Sequence, residues 1–301
     1  MAEPWFQREL LTLPDGRTLE LYLSGATDGT VLVIHDGSPS AGIPFRHSAE
    51  LARDRGLRLV SSSRAGYAAS SRNPGRDVAA VVPDVVAVLD HLGTERCYTM
   101  GWSGGGPHAL ATAALLGDRV IAASVMGGVA PYAAEGLDWM DGMGAENVEE
   151  FGAALAGPAQ LQSFLERAGS WLANVTADEV AGAFGDLVSE VDRASITGEY
   201  AEWLASMFRA SISTGIWGWF DDDAAFVRPW GFEIGSITRP VAIWQGAQDR
   251  MVPFAHGQWL ASHVGGARAH LLPEHGHLSL EVALMGGILD DLMASGREAG
   301  L

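Results

Sequence analysis

The sequence predicts an α/β protein: a mostly parallel central sheet flanked by helices, interrupted late in the chain by a helical insertion. Three observations carry this. Short apolar runs occur at Thr30–His35, Leu57–Ser61, Arg96–Met100, Val120–Met126 and Val241–Gln245, and such runs suit strands covered on both faces. Segments with apolar residues at helical spacing alternate with them, the pattern of a parallel sheet with crossover helices. From about residue 131 to residue 235 the strand signal stops and helical stretches take over.

The elements follow in order. Leu10–Ser24 reads as a hairpin, because two alternating segments flank the turn sequence Pro14-Asp15-Gly16-Arg17. After the strand at Thr30–His35, Phe45–Arg55 looks helical and Gly56 can end it. Leu57–Ser61 is a second buried strand. Val78–Leu92 shows helical spacing and stops before Gly93. Arg96–Met100 is a strand running into Gly101, Gly104–Leu116 a helix, and Val120–Met126 a strand. The insertion, 131–234, holds helices at Leu161–Leu172, Ala177–Val191 and Tyr200–Ser211, together with Trp139, Trp171, Trp203, Trp217, Trp219 and Trp230. The strand signal returns at Val241–Gln245, followed by a helix at Phe254–His263, a strand at Ala269–Leu272 and a helix at Leu278–Met293. The expected organisation is one core, 1–130 and 235–301, interrupted by 131–234.

Composition narrows the function classes. The chain has 301 residues, enough for a sizeable core. Its formal net charge of −18 argues against nucleic acid or an anionic membrane surface as partner, since both need a basic footprint. The single cysteine, Cys97, allows no internal disulfide and sits at the start of an apolar run, where it reads as a small buried filler. Met1–Leu10 carries Glu3, Gln7, Arg8 and Glu9 and no long apolar region, so no secretory signal is expected. No apolar stretch reaches the roughly 20 residues needed to span a bilayer. A soluble, cytoplasmic protein acting on a small molecule is expected.

The most specific motif is Gly101-Trp102-Ser103-Gly104-Gly105, a G-x-S-x-G between a strand and a helix. A serine on that sharp turn holds a strained backbone and projects its hydroxyl above the sheet. Gly101 and Gly105 fit a place where strand and helix come close. The new helix points its positive N-terminal end at the site, where negative charge develops. There is no H-E-x-x-H and no paired C-x-x-C, and Gly104-Gly105-Gly106 lacks the Lys-[Ser/Thr] of a phosphate loop. No metal and no organic cofactor are implied.

With Val31–Pro39, Ser62–Ser70, Gly101–Pro107, Gln245–Pro253 and Glu274–His277, the chain resembles the α/β-hydrolase superfamily, in its cap-bearing esterase, lipase and proline-iminopeptidase-like branch. The resemblance implies the α/β-hydrolase fold with a helical cap after the sixth strand. It implies Ser103 as nucleophile, His277 as base and Asp249 as the acid that orients the base, in the family's order. His277 fits the family's Gly-His pattern better than His275; for the other histidines, His108 included, structural or surface roles are expected. The segment after the sixth strand, Gly127–Pro131, has no carboxylate, which favours Asp249. The family places one oxyanion N–H on the residue after the nucleophile, here Gly104, and a second on the loop after the third strand, here Ser38, with Gly37 as the alternative. Asp36 departs from the family's usual glycine pair there. The loop Ser61–Tyr67 corresponds to a structural loop of the family.

In this family such an insertion shapes substrate choice, and Trp102, Trp139, Trp217 and Trp219 are candidates for lining an apolar pocket. Met140, Met143, Met207 and Phe208 belong either to that lining or to the core. Asp221–Asp223 is a charge run, read as a solvated face. The leading expectation is hydrolysis of a small, largely apolar carboxylic ester through an acyl-enzyme. The alternatives are a proline-iminopeptidase-like aminopeptidase, whose substrate ammonium Glu199, Glu202 or Asp221–Asp223 would have to receive, and a non-catalytic ligand receptor. A dehalogenase or epoxide hydrolase of this fold would carry Asp at position 103.

Overall fold

The computed structural model describes residues 5–301. β1 (Gln7–Thr12) and β2 (Thr18–Gly25) form the expected hairpin, with Gly16 at φ 86° in its turn. β2 pairs antiparallel with β4 (Leu57–Ser63), and the other neighbours are parallel: β3 (Thr30–His35), β5 (Cys97–Trp102), β6 (Val120–Met126), β7 (Val241–Gly246) and β8 (Arg268–Leu272). The sheet order is β1-β2-β4-β3-β5-β6-β7-β8. Successive strand residues serve opposite faces: Val31 and Val33 of β3 pack into one apolar cluster and Leu32 between them into the other. This double burial is why the central strands read as apolar runs instead of alternating patterns.

α1 (Arg46–Arg53) and α11 (Leu278–Glu298) cover one face; α2 (Val82–His91), α3 (Gly105–Leu115) and α10 (Phe254–His263) cover the other. Fully buried side chains such as Leu32, Leu110 and Leu289 each contribute roughly 1.5–3 kcal/mol by leaving water. The helix expected at 78–92 opens with a 3₁₀ turn, Val78–Val81, capped by Asp77, whose carboxylate accepts from Ala80 N at 2.9 Å.

From β3 the chain goes to β4 on one side and then to β5 on the other. At such a reversal the connections diverge and leave a crevice beyond the carboxyl ends of the strands. His35 and Gly101 pair across that point, so the loop after β3 and the G-x-S-x-G turn meet at the crevice.

Between β6 and β7 lie α4 (Ala145–Ala156), α5 (Pro158–Leu172), α6 (Ala177–Ala183), α7 (Glu190–Ser195), α8 (Gly198–Ser211) and α9 (Trp217–Phe226). The single helix expected at 177–191 is two: α6 starts in a Thr176–Glu179 capping box, Gly185 at φ 51° turns the chain, and Ser189 caps α7 by accepting from Asp192 N. α9 escaped the sequence reading because it is buried nearly all round and so shows no amphipathic stripe. It lies directly on the loop after β4: a Cβ on Gly218 would come within 2.5 Å of the Tyr67 ring. No helix among the described residues is long and apolar enough to cross a membrane.

Candidate active site

Ser103 sits between β5 and α3 at φ 55°, a left-handed conformation that costs a non-glycine residue of order 1 kcal/mol and needs its surroundings to hold it. The surroundings do so. Ser103 N donates to Met126 O at 2.8 Å, and Gly106 N donates to Ser103 O at 2.9 Å. A Cβ on Gly101 would strike the carbonyl of Gly105, and one on Gly105 would strike that of His35. Both glycines of the motif therefore follow from close backbone approach, as expected.

His277 immediately precedes α11, and Asp249 lies on the loop after β7. His277 Nδ1 is 2.7 Å from Asp249 Oδ2. The other carboxylate oxygen accepts from Met251 N at 2.9 Å and Val252 N at 2.8 Å, and Gln245 Nε2 donates to Oδ2 at 3.0 Å. An acceptor so placed makes Nδ1 the protonated nitrogen and leaves Nε2 with its lone pair. Among the described residues Nε2 has no hydrogen-bond partner. Burial alone lowers the pKa of His277, but the adjoining Asp249 outweighs it, with Asp192 adding, and the net value is raised. Gly127, at φ 54°, packs on this pair: a Cβ there would lie 2.9 Å from His277 Nδ1.

Ser103 and His277 face the same cavity of about 670 Å³, with Gly37, Ser38 and Gly104 around Ser103. A Cβ on Gly37 would lie 3.7 Å from Ser103 Oγ, and one on Gly104 2.7 Å from Ser38 Oγ. The structure thus brings together all six residues expected for triad and oxyanion hole.

The loop carrying Gly37 and Ser38 is held by a buried ion network that corrects one expectation. Asp221–Asp223 is not a solvated face: all three side chains are buried. Asp222 takes Arg64 and Arg76 at 2.6 Å each, Tyr67 Oη at 2.8 Å and Ser38 Oγ at 2.6 Å. Asp221 takes Arg72 Nε at 2.7 Å. Arginines from the chain after β4 neutralise two of the run's three charges, so Asp221 and Asp222 are buried as paired ions, while Asp223 has no such partner. The loop Ser61–Tyr67 is structural, as the resemblance implied, and braces the loop after β3. Arg64 donates to the carbonyls of Asp36 and, at 2.7 Å, Gly37. Because a peptide is planar with C=O and N–H opposed, pinning these two carbonyls aims the N–H groups of Gly37 and Ser38 the other way.

A second clamp was not visible in the sequence. Asp192 of α7 accepts from His277 N at 2.8 Å, Leu278 N at 2.9 Å and Ser279 N at 2.9 Å. A carboxylate there satisfies three otherwise unpaired donors at the start of α11 and complements the helix dipole.

Of the tryptophans, Trp102 and Trp219 line the cavity, whereas Trp139 and Trp217 do not. Trp139 Nε1 donates to Ala130 O at 2.7 Å and its ring meets Phe151 edge-on, fastening the insertion to the core. Trp217 carries the Arg72 guanidinium 4.1 Å over its ring. Met207 and Phe208 line the cavity, while Met140 and Met143 pack in the core. The other buried histidines are structural: His35 is pushed down to about 3 and His256 to about 4 by burial, and His108 well below its ordinary value.

The family described as alpha/beta hydrolase fold matches residues 30–284. The uncharacterized hydrolase YcgS of Bacillus subtilis (strain 168) is 26% identical over 281 residues, 91% of this chain and 94% of that protein. Epoxide hydrolase B of Mycobacterium tuberculosis is 30% identical over 138 residues, 44% of this chain and 38% of that protein. Among solved structures, an esterase from Exiguobacterium antarcticum has a TM-score of 0.69 at 18% identity, covering 97% of this chain and 100% of that one; this likeness is one of fold.

Proposed function

We propose that this chain, which belongs to the alpha/beta hydrolase fold family, is a serine hydrolase that cleaves a small carboxylic ester through an acyl-enzyme. Ser103 Oγ attacks the ester carbonyl while His277 Nε2 takes its proton. The carbonyl oxygen becomes an oxyanion held by the backbone N–H groups of Gly104 and Ser38, with Gly37 the alternative to Ser38. His277 returns the proton to the departing alkoxide, which leaves as an alcohol. Water then attacks the acyl carbon while giving a proton to His277, and the acid departs as the carbon–Oγ bond breaks and His277 returns that proton to Ser103 Oγ. Asp249 keeps His277 in the tautomer with Nδ1 protonated and steadies the imidazolium.

The observation that carries this reading is that the strained Ser103 and an unpartnered His277 Nε2 line one cavity, backed by the 2.7 Å His277–Asp249 contact. A serine at position 103 also argues against epoxide opening, which in this fold needs an aspartate there. An ester is favoured over an amide because its leaving group is easier to expel by an unspecialised triad. The helical insertion supplies the cavity's outer wall and acts as the cap.

A fluorophosphonate probe should label the protein, and Ser103→Ala should abolish labelling; labelling that survives the substitution refutes the assignment. The ester preference is read from kcat/KM for p-nitrophenyl butyrate against prolyl p-nitroanilide. A preference for the anilide refutes it.

A further inference from the structure

We propose that Glu150 and Asp223 form a subsite for a positively charged ammonium group on the substrate, which makes the substrate class of this site esters whose acyl chain carries a cation. The inference rests on the ester-hydrolase reading of the cavity and deepens it.

Both side chains, Glu150 from α4 and Asp223 from α9, line the cavity that holds Ser103 and His277. Asp223 is 1% exposed, yet neither of its carboxyl oxygens has a donor from the described residues. Its neighbour Asp222 has four partners, so the absence is specific to the residue that faces the cavity. Glu150 is fixed by Trp219 Nε1 at 2.6 Å. Together the two acids offer three oxygens that no protein donor fills.

Two buried like charges side by side are costly, so at rest the pair holds a proton. Burial pushes Glu150 up to about 7, and burial together with Glu150 holds Asp223 well above the ordinary carboxylate range. Of the other charges that face the pair, Glu146 and Asp222 add to the repulsion, and Arg76, engaged by Asp222, offsets only part of it. A ligand cation would replace that proton as the neutralising charge.

The rest of the cavity suits a cation. Among the described residues its lining includes no arginine or lysine, and exposed Glu146, Asp178 and Glu179 stand at its rim, where they draw cations inward. The rings of Trp219, Phe151 and Phe226 add the negative faces that cations prefer. α9 also reaches the surroundings of Ser103: Asp222 holds Ser38, and Phe226 stands within contact of the Gly104 Cα region. Asp223 lies on that helix, and the pair shares the cavity with Ser103.

The test compares two p-nitrophenyl esters of equal shape, 4-(trimethylammonio)butyrate and 5,5-dimethylhexanoate. The cationic ester is expected to have the higher kcat/KM by about tenfold, mostly through KM. In the Glu150→Gln, Asp223→Asn double variant the ratio should fall to about one; using the ratio cancels any loss of folded protein. A wild-type ratio at or below one, or a ratio that survives the double substitution, overturns the proposal. Calorimetry with the corresponding amides, 4-(trimethylammonio)butyramide and 5,5-dimethylhexanamide, reads binding without chemistry. The cationic amide should bind more tightly and release a proton, seen as different heats in phosphate and Tris. If neither ester turns over, the ester reading fails alone, and equal binding of the two amides still overturns the subsite.

Discussion

Replacing Asp192 by asparagine separates a merely structural cap from a residue that positions His277. The carboxylate meets three backbone N–H groups, those of His277, Leu278 and Ser279, at 2.8–2.9 Å. Asparagine has one acceptor oxygen, and its NH2 would face a donor. At least one buried N–H is left unsatisfied, at about 1–3 kcal/mol, and loss of the charge at the helix start costs roughly 0.5–2 kcal/mol more. A total of about 1.5–5 kcal/mol should appear as a fall in melting temperature of several degrees. The donor nearest the asparagine NH2 decides the kinetics. If it is His277 N, the imidazole shifts, and a displacement of about 1 Å costs roughly 100-fold in rate. The pH profile supplies the readout that stability alone cannot move. His277 must be neutral to act as base, so kcat/KM falls as pH drops through its pKa. Asp192 contributes to holding that pKa up, and its neutral replacement should move the acid limb to lower pH. A variant that melts early but keeps wild-type kcat/KM and an unmoved acid limb would refute the positioning role.

Three further outcomes are expected. Asp249→Asn should leave the fold intact and lower kcat by up to about 10⁴-fold, because His277 loses the acceptor that fixes its tautomer; near-normal kcat would place the acid elsewhere. In the wild type, the raised pKa of His277 should put the acid limb of kcat/KM above the ordinary histidine value of about 6.5, and a limb below it would contradict the assignment. Arg64→Lys should lower kcat by about 10²–10³-fold, the scale of losing one oxyanion donor, because a single ammonium cannot serve the Asp36 and Gly37 carbonyls and Asp222 together. A change confined to KM would show that the loop does not depend on that fork.

The central sheet and the three triad candidates were legible because their signals are local. Strands covered on both faces must be apolar along their whole length, and β3, β6 and α10 have the predicted ends. Ser103 announces itself through glycines within two residues, which close backbone approach requires. What remained hidden depends on partners far away in the chain. Asp222 pairs with Arg64 across 158 positions and Asp192 with His277 across 85. A run of three aspartates therefore read as solvated when its counter-ions lay about 150 residues earlier. Trp139 and Trp217 failed as lining residues because aromatic content cannot distinguish a ring facing a cavity from one packed on Phe151 or under Arg72. Gln245 did leave a trace, as a polar side chain at the end of the apolar β7 run; only its distance to Asp249 explains it.

These long-range contacts change what the insertion is for. α7 reaches the start of α11 through Asp192, and α9 reaches the loop after β3 through Asp222. Each anchors a different part of the proposed machinery, the histidine by the first and an oxyanion donor by the second. The anchors are carboxylates against backbone N–H or buried guanidinium groups, which act over a few ångströms and tolerate little displacement. Motion of the insertion as a rigid flap would break both at once. Substrate entry is therefore expected between α4, α5 and α6, whose side chains line the cavity, while α7 and α9 stay fixed to the core. The same division places Asp223 on a fixed helix, and Glu150 of α4 is tied to that helix through Trp219 Nε1 at 2.6 Å.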